Sequence, residues 1–249
     1  MVVTDEGGAV LKAINNPEGE HALAREWIVT RLAKWFGLPT FDIAIIEVTD
    51  IDDIRLGGDK RAAAVGPAIV TRYETGKNWD GKSVTLSLIE NTEVFSWLVV
   101  FDTWVRNRDR YLPPTRQNLG NVYLSEENAA QGRFVLKAID HTHCLADGDI
   151  HAKMNVIDAM RDERIYGLFP AFRKRIDNTL VADSLKRLES VDIGIIMDAV
   201  EGLPPAWHVE ANGIASLADF LVQRASYLQS HLYEKLMKAI QLPLEGFDE

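Results

Sequence analysis

Residues 107–124, NRDRYLPPTRQNLGNVYL, and residues 136–145, LKAIDHTHCL, carry the densest chemical information in the chain. The first stretch is a polar, Pro-containing loop with Asp109 near its start and asparagines at 118 and 121. It runs into a β-rich segment, NVYL. The second belongs to a strand, RFVLKAID, that ends directly in Asp140. Asp is common in turns and at strand ends, because its side chain bonds nearby backbone, so neither aspartate means much alone. Their joint placement around one hairpin suits phosphoryl transfer. One carboxylate must sit beside an attacking hydroxyl and take its proton. Another carboxylate and an amide oxygen must hold Mg²⁺, a hard cation that prefers oxygen. The metal offsets phosphate charge. Asp109, then Asp140 with Asn121 or Asn118, match those tasks.

Upstream of the loop, residues 88–105, LIENTEVFSWLVVFDTWV, read as one long buried helix. Residues 76–83, GKNWDGKS, are rich in turn formers and read as a connector. Before it, MVVT and AVLKAI form β-rich runs around the turn DEGG. In residues 17–39, Ala22, Leu23, Ile28, Leu32 and Phe36 recur at helical spacing, and Gly37 and Pro39 stop the helix. FDIAIIEV and GPAIVTRYE are strands by their β-branched content. After His151 the pattern is helical, ending in the amphipathic run SLADFLVQRASYLQSHLYEKLMKAI. The predicted fold class is α+β, with a small β-rich part over residues 1–80 and a larger helical part over residues 81–249.

Lys12 closes an early strand, and Glu26 lies in the helix that follows. A strand lysine held by a helix glutamate is the usual way to present an ammonium to nucleotide phosphates. The plain alternative is a solvated sheet-edge lysine and an exposed helix glutamate. Glu20 competes with Glu26, but it stands at the helix start, where the dipole favours any carboxylate.

Together these elements resemble the HipA-like kinases, relatives of the bacterial HipA toxin kinases. AVLKAI, LAREWIVTRLAKWFGLP, FDTWVRNRDR and AIDHTHCL follow one another in that family's order, over most of residues 1 to 145. The resemblance implies a bilobal protein-kinase-like fold that uses ATP and Mg²⁺ to phosphorylate a hydroxyl, on Ser or Thr of a protein. It makes Lys12 the phosphate lysine, Glu26 its partner, Asp109 the catalytic aspartate and Asp140 the main metal ligand. It leaves Asn121 and Asn118 both open as the second ligand, because PPTR looks like an insertion in the loop. Gly7 and Gly8 read as hairpin residues rather than a phosphate-covering glycine-rich loop. That keeps a rival in play, a nucleotide-binding pseudokinase or interaction module. A regulatory partner protein is a further expectation.

Bulk properties agree with a globular chain. It has 249 residues, 47% hydrophobic and 26% charged, with a formal net charge of −10. So acidic a balance argues against a nucleic-acid binder, although AFRKRI is a local basic stretch. No apolar run is long enough for a membrane span. The N-terminal MVVTDEGGAV lacks the pattern of a secretory signal, and Cys144 is the single cysteine. These features predict a cytoplasmic location. His141 and His143 closely follow Asp140 and raise a third possibility, a metal-dependent hydrolase. That reading leaves Lys12 and Glu26 without a role. Arg106, Arg108 and Arg110 could hold phosphate or pair with acidic neighbours.

Overall fold

Short β-branched runs early in the chain pair into a sheet because neither face is apolar enough to stand alone. A computed structural model describes residues 2–4, 7–52, 54–56, 61–112, 116–145, 150–151, 153 and 157–241. Strand β1 (Val2–Thr4) pairs antiparallel with β2 (Gly7–Lys12), which leads to helix α1 (Ala22–Phe36) and strand β3 (Ile43–Val48). A two-residue ribbon follows, β4 (Arg55–Leu56) with β5 (Arg61–Ala62), and then β6 (Gly66–Arg72). The sheet order is β1-β2-β6-β3, and Lys12 faces Ile69 in the register. Asp5 and Glu6 of the expected turn lie outside the described residues.

Helix α1 ends as its sequence predicts. Gly37 takes φ 84°, a left-handed turn open to glycine, and the Leu38 N–H reaches back to Ala33 O at 2.9 Å. Ile28, Leu32 and Phe36 are fully buried in the main core, where the Phe36 ring meets those of Phe101 and Trp104. Burying such side chains is worth roughly 1.5–3 kcal/mol each, enough to fix the helix that carries Glu26.

The connector reading of residues 76–83 needs correction. Gly76–Asn78 form strand β7, which joins a second antiparallel sheet further along the chain. Its close approach explains the glycine: at φ 157° a Cβ on Gly76 would collide with the Leu124 carbonyl. The long helix is also shorter than its apolar run. A 3-10 turn (Thr85–Leu88) comes first, and α2 spans Val94–Val105. Asn91 draws the intervening chain away by bonding the Leu136 N–H (2.9 Å) and carbonyl (3.0 Å), and Ile89 bridges Phe134. Tertiary pairing overrides helix propensity there.

The polar loop holds a small ribbon, β8 (Tyr111–Leu112) with β9 (Arg116–Gln117). Residues 113–115 of the apparent PPTR insertion lie outside the described residues. Strands β10 (Val122–Ser125) and β11 (Val135–Ala138) then pair antiparallel, and β7 completes the order β11-β10-β7. Helices α3 (Ile157–Met160), α4 (Asn178–Glu189), α5 (Ile193–Val200) and α6 (Ala211–Gln241) follow, with an irregular stretch from Arg161 to Phe169. The result is a mixed helix and sheet fold with small antiparallel sheets. Among the described residues, no helix is long and apolar enough to cross a membrane.

Candidate active site

Lys12 leaves the end of β2 toward α1 and toward the end of β11. Its Nζ lies 3.0 Å from Glu26 Oε2 and 2.8 Å from Asp140 Oδ1. Burial disfavours the ammonium, but the carboxylates of Glu26 and Asp140 outweigh it and hold Lys12 above its ordinary range. Burial pushes Asp140 up, but Lys12 and the Thr142 hydroxyl (2.8 Å) bring it down to about 2. Asp140 adopts φ 60°, a left-handed conformation that costs a non-glycine residue roughly 1–2 kcal/mol. Glu26 serves both partners: the carboxylate oxygen that holds Lys12 also accepts the His141 backbone N–H at 2.9 Å. One helix residue thus orients the lysine and anchors the chain beside Asp140.

The two histidines part company. His141 is fully buried, its Nδ1 lies 3.3 Å from the Thr30 hydroxyl, and burial followed by the Arg110 charge keeps it neutral. His143 points toward Glu18, 4.0 Å away. Among the described residues, no group of three or more His, Cys, Asp or Glu side chains is arranged to hold a metal ion. The histidine-ligand arrangement therefore does not form.

The loop bearing Asp109 begins where α2 ends. Arg106 turns the chain at φ 54°, and Asn107 then caps the turn, its Oδ1 accepting the N–H groups of Asp109 and Arg110, both at 3.3 Å. Asp109 Oδ2 receives the amide groups of Asn118 (2.7 Å) and Asn121 (2.8 Å). An amide facing a carboxylate must present its NH₂, so both side-chain oxygens turn away. The Asn118 oxygen is engaged by the Gly120 N–H at 3.1 Å. The Asn121 oxygen accepts no hydrogen bond from the described residues.

Arg110 ties this loop to the end of the second strand. Its Nε donates to Asp102 Oδ2 at 2.7 Å, and both side chains are fully buried. Its Nη1 donates to the carbonyls of Asn121 and of Ile139, the latter at 2.9 Å. Ile139 immediately precedes Asp140, and its N–H bonds Asn121 O at 3.2 Å. Asp109 and Asp140 are therefore held by one buried frame. Burial raises the Asp102 carboxyl against the pull of Arg110. Gly167 completes the fit, since a Cβ there would come within 2.6 Å of Asp102 Oδ2.

Of the three arginines noted in the sequence, two are structural. Arg110 pairs with Asp102, and Arg106 pairs with Asp162 at 3.1 Å. Sequence reasoning missed Asp102, Asn107 and Arg224. A carboxylate inside the apolar run VFSWLVVFDTWV was a readable signal for Asp102. Arg224 gave none: it is fully buried on α6 and donates to the carbonyls of Thr103, Trp104, Ala159, Met160 and Asp162. It thereby satisfies orphan carbonyls at the ends of α2 and α3, and burial lowers its pKa to about 10.

Comparison with known proteins finds both a family and structural neighbours. A profile described as HipA-like kinase matches residues 5–235. Among solved structures the chain is similar to CtkA, a Helicobacter pylori proinflammatory kinase, with a TM-score of 0.59 and 14% identity over 95% of this chain and 89% of that chain. At that identity the likeness is one of fold. No curated protein matches.

Proposed function

Because the chain belongs to the HipA-like kinase family, we propose that it transfers the γ-phosphoryl group of ATP to a Ser or Thr hydroxyl of a protein substrate. One observation carries this reading: Lys12 bridges Glu26 and Asp140, while Asp109 is locked on the same frame by Asn118 and Asn121. Lys12 would bind phosphate oxygens and Glu26 would keep it aimed. Asp109 would orient the substrate hydroxyl and accept its proton. The donor set suits Mg²⁺. Asp140 is an ionised carboxylate already drawing an ammonium to 2.8 Å, and Asn121 has a carbonyl-type oxygen to spare. We assign the second ligand to Asn121 rather than Asn118, whose oxygen caps Gly120. Bound Mg²⁺ would supply charge neutralisation on the phosphates.

The reading includes a two-lobed arrangement of residues 1–80 and 81–249. Because β7 pairs with β10, the division is better drawn at Tyr73–Thr75. A cytoplasmic location and a regulatory partner protein belong to the same proposal.

A second reading, nucleotide binding without transfer, is favoured by one observation. Gly7 and Gly8 are used in the pairing of β2 with β1. The test is γ-labelled ATP with Mg²⁺, with and without lysate protein, using the longest natural form of the chain. Asp109→Ala should cut transfer by roughly 10²-fold or more and leave ATP affinity nearly unchanged. Lys12→Ala should weaken nucleotide binding itself. Nucleotide binding with no transfer to any acceptor would sink the kinase reading in favour of the second.

A further inference from the structure

Around the chain between β7 and α2, basic side chains from several elements come together, and the catalytic frame does not use them. Arg133 donates to the Ser87 carbonyl at 3.5 Å, and Arg175 donates to the Ser87 hydroxyl at 3.1 Å and the Ser83 carbonyl at 2.9 Å. The two guanidinium groups therefore flank one short turn. Lys77 lies over the Phe134 ring at 4.9 Å, next to Arg133. Lys82 precedes Ser83, and exposed Lys174 precedes Arg175.

Two carboxylates pair with these five cations, both at long range, while Glu93 and Asp177 lie in the same stretches without pairing to them. Asp80 is 3.9 Å from Lys82 and Glu90 is 4.0 Å from Arg133. Asp80 also accepts the Lys82 N–H (3.1 Å) and the Thr85 hydroxyl (2.9 Å). Among the described residues, Lys77, Lys174 and Arg175 have no carboxylate partner within 4.0 Å. This is a local cationic excess on a chain of net charge −10. The same turn exposes two aliphatic side chains, Val84 at 72% and Leu88 at 37%.

We propose that this face docks an acidic protein segment that also carries aliphatic side chains. Carboxylates would meet the guanidinium and ammonium groups, and the aliphatic side chains would cover Val84 and Leu88. Charge complementarity selects an acidic partner, and the exposed aliphatics select protein over nucleic acid. Single-stranded nucleic acid binds by stacking on aromatics, whereas Val84 and Leu88 offer no stacking surface. A long polyanion would also be repelled by the chain's overall charge, while a short acidic segment meets mainly the local field. The surface reaches the catalytic loop: a Cβ on Gly81 would come within 3.0 Å of Leu119, which follows Asn118. A partner seated here would lie beside Asp109's loop. The surface does not depend on phosphoryl transfer taking place.

The test uses short random peptides displayed on phage against the immobilised full chain. A Lys82→Glu/Lys174→Glu variant serves as counter-bait. Both lysines are exposed, so the variant should melt like the wild type. Enriched peptides should combine Asp or Glu with Leu, Ile or Val. Synthetic versions should bind the wild type at least ~10-fold more tightly than the charge-reversed chain, with affinity falling as salt rises. Val84→Ser/Leu88→Ser should weaken the same peptides without changing the salt dependence. Enrichment of neutral or basic peptides, or equal affinity for wild type and counter-bait, would overturn the proposal. So would a short single-stranded oligonucleotide that binds this face more tightly than the selected peptides.

Discussion

Replacing Arg110 by Met tests the frame that holds both aspartates. Arg110 and Asp102 are both fully buried and meet at 2.7 Å. Met fills much of the arginine's volume but strands the carboxylate, which keeps the Asn107 amide at 3.2 Å. Breaking a buried pair by removing one partner costs ~3–5 kcal/mol. The carbonyls of Asn121 and Ile139 also lose a donor, adding about 1 kcal/mol each. The sum approaches the whole stability of an ordinary domain, ~5–15 kcal/mol. Asp102 can escape part of the cost by taking up a proton. Its carboxyl is already raised by burial, and without Arg110 it rises further. A carboxyl with a raised folded pKa favours folding below its unfolded value and loses that support as pH climbs toward the raised value. The variant should therefore be less damaged at pH 5 than at pH 8, with a slope relative to wild type of at most ~1.4 kcal/mol per pH unit. Asp102→Asn combined with Arg110→Met removes the buried charge and should recover stability at pH 8. Urea unfolding of the three proteins at both pH values measures this. An Arg110→Met cost below about 1 kcal/mol, or one that does not change with pH, would refute the argument.

Asp140 makes the opposite pH prediction. Its carboxyl titrates at about 2 rather than 3.8, so its support is complete above the unfolded value and is lost as pH falls toward the folded one. In metal-free protein, Asp140→Asn should cost about 2 kcal/mol at pH 7 and about half that at pH 3. Equal costs by urea melts at both values would contradict the Lys12–Asp140 pairing. Cys144 is fully buried, and burial, followed by Asp102, pushes its thiol well up. A thiol reagent such as dithionitrobenzoate should leave the folded chain unmodified and react at the rate of unfolding. Rapid labelling of folded protein would show that the α2 end opens locally.

Local pattern was enough to find α1 and its stop, because helical spacing and a glycine at C′ are properties of neighbouring residues. The same holds for the strands around Asp140. It was not enough for Gly76–Asn78, whose three residues become a strand only because β10 offers a partner edge. Nor could it locate the start of α2, where Asn91 binds β11 instead of continuing the helix.

By itself, the sequence singled out candidates for chemistry: Lys12, Glu26, Asp109, Asn118, Asn121 and Asp140 stand out by residue type, order and flanking strands. Tertiary structure alone decided how they are held. It gave Glu26 the His141 N–H as well as Lys12, and among the described residues it engaged the oxygen of Asn118 but not that of Asn121. It also turned Arg110 from a possible phosphate ligand into a buried strut, and recruited Arg224 from the far end of the chain. The physical reason is burial. A charge removed from water must find its partner wherever the fold brings one, and those partners lie up to 128 residues apart.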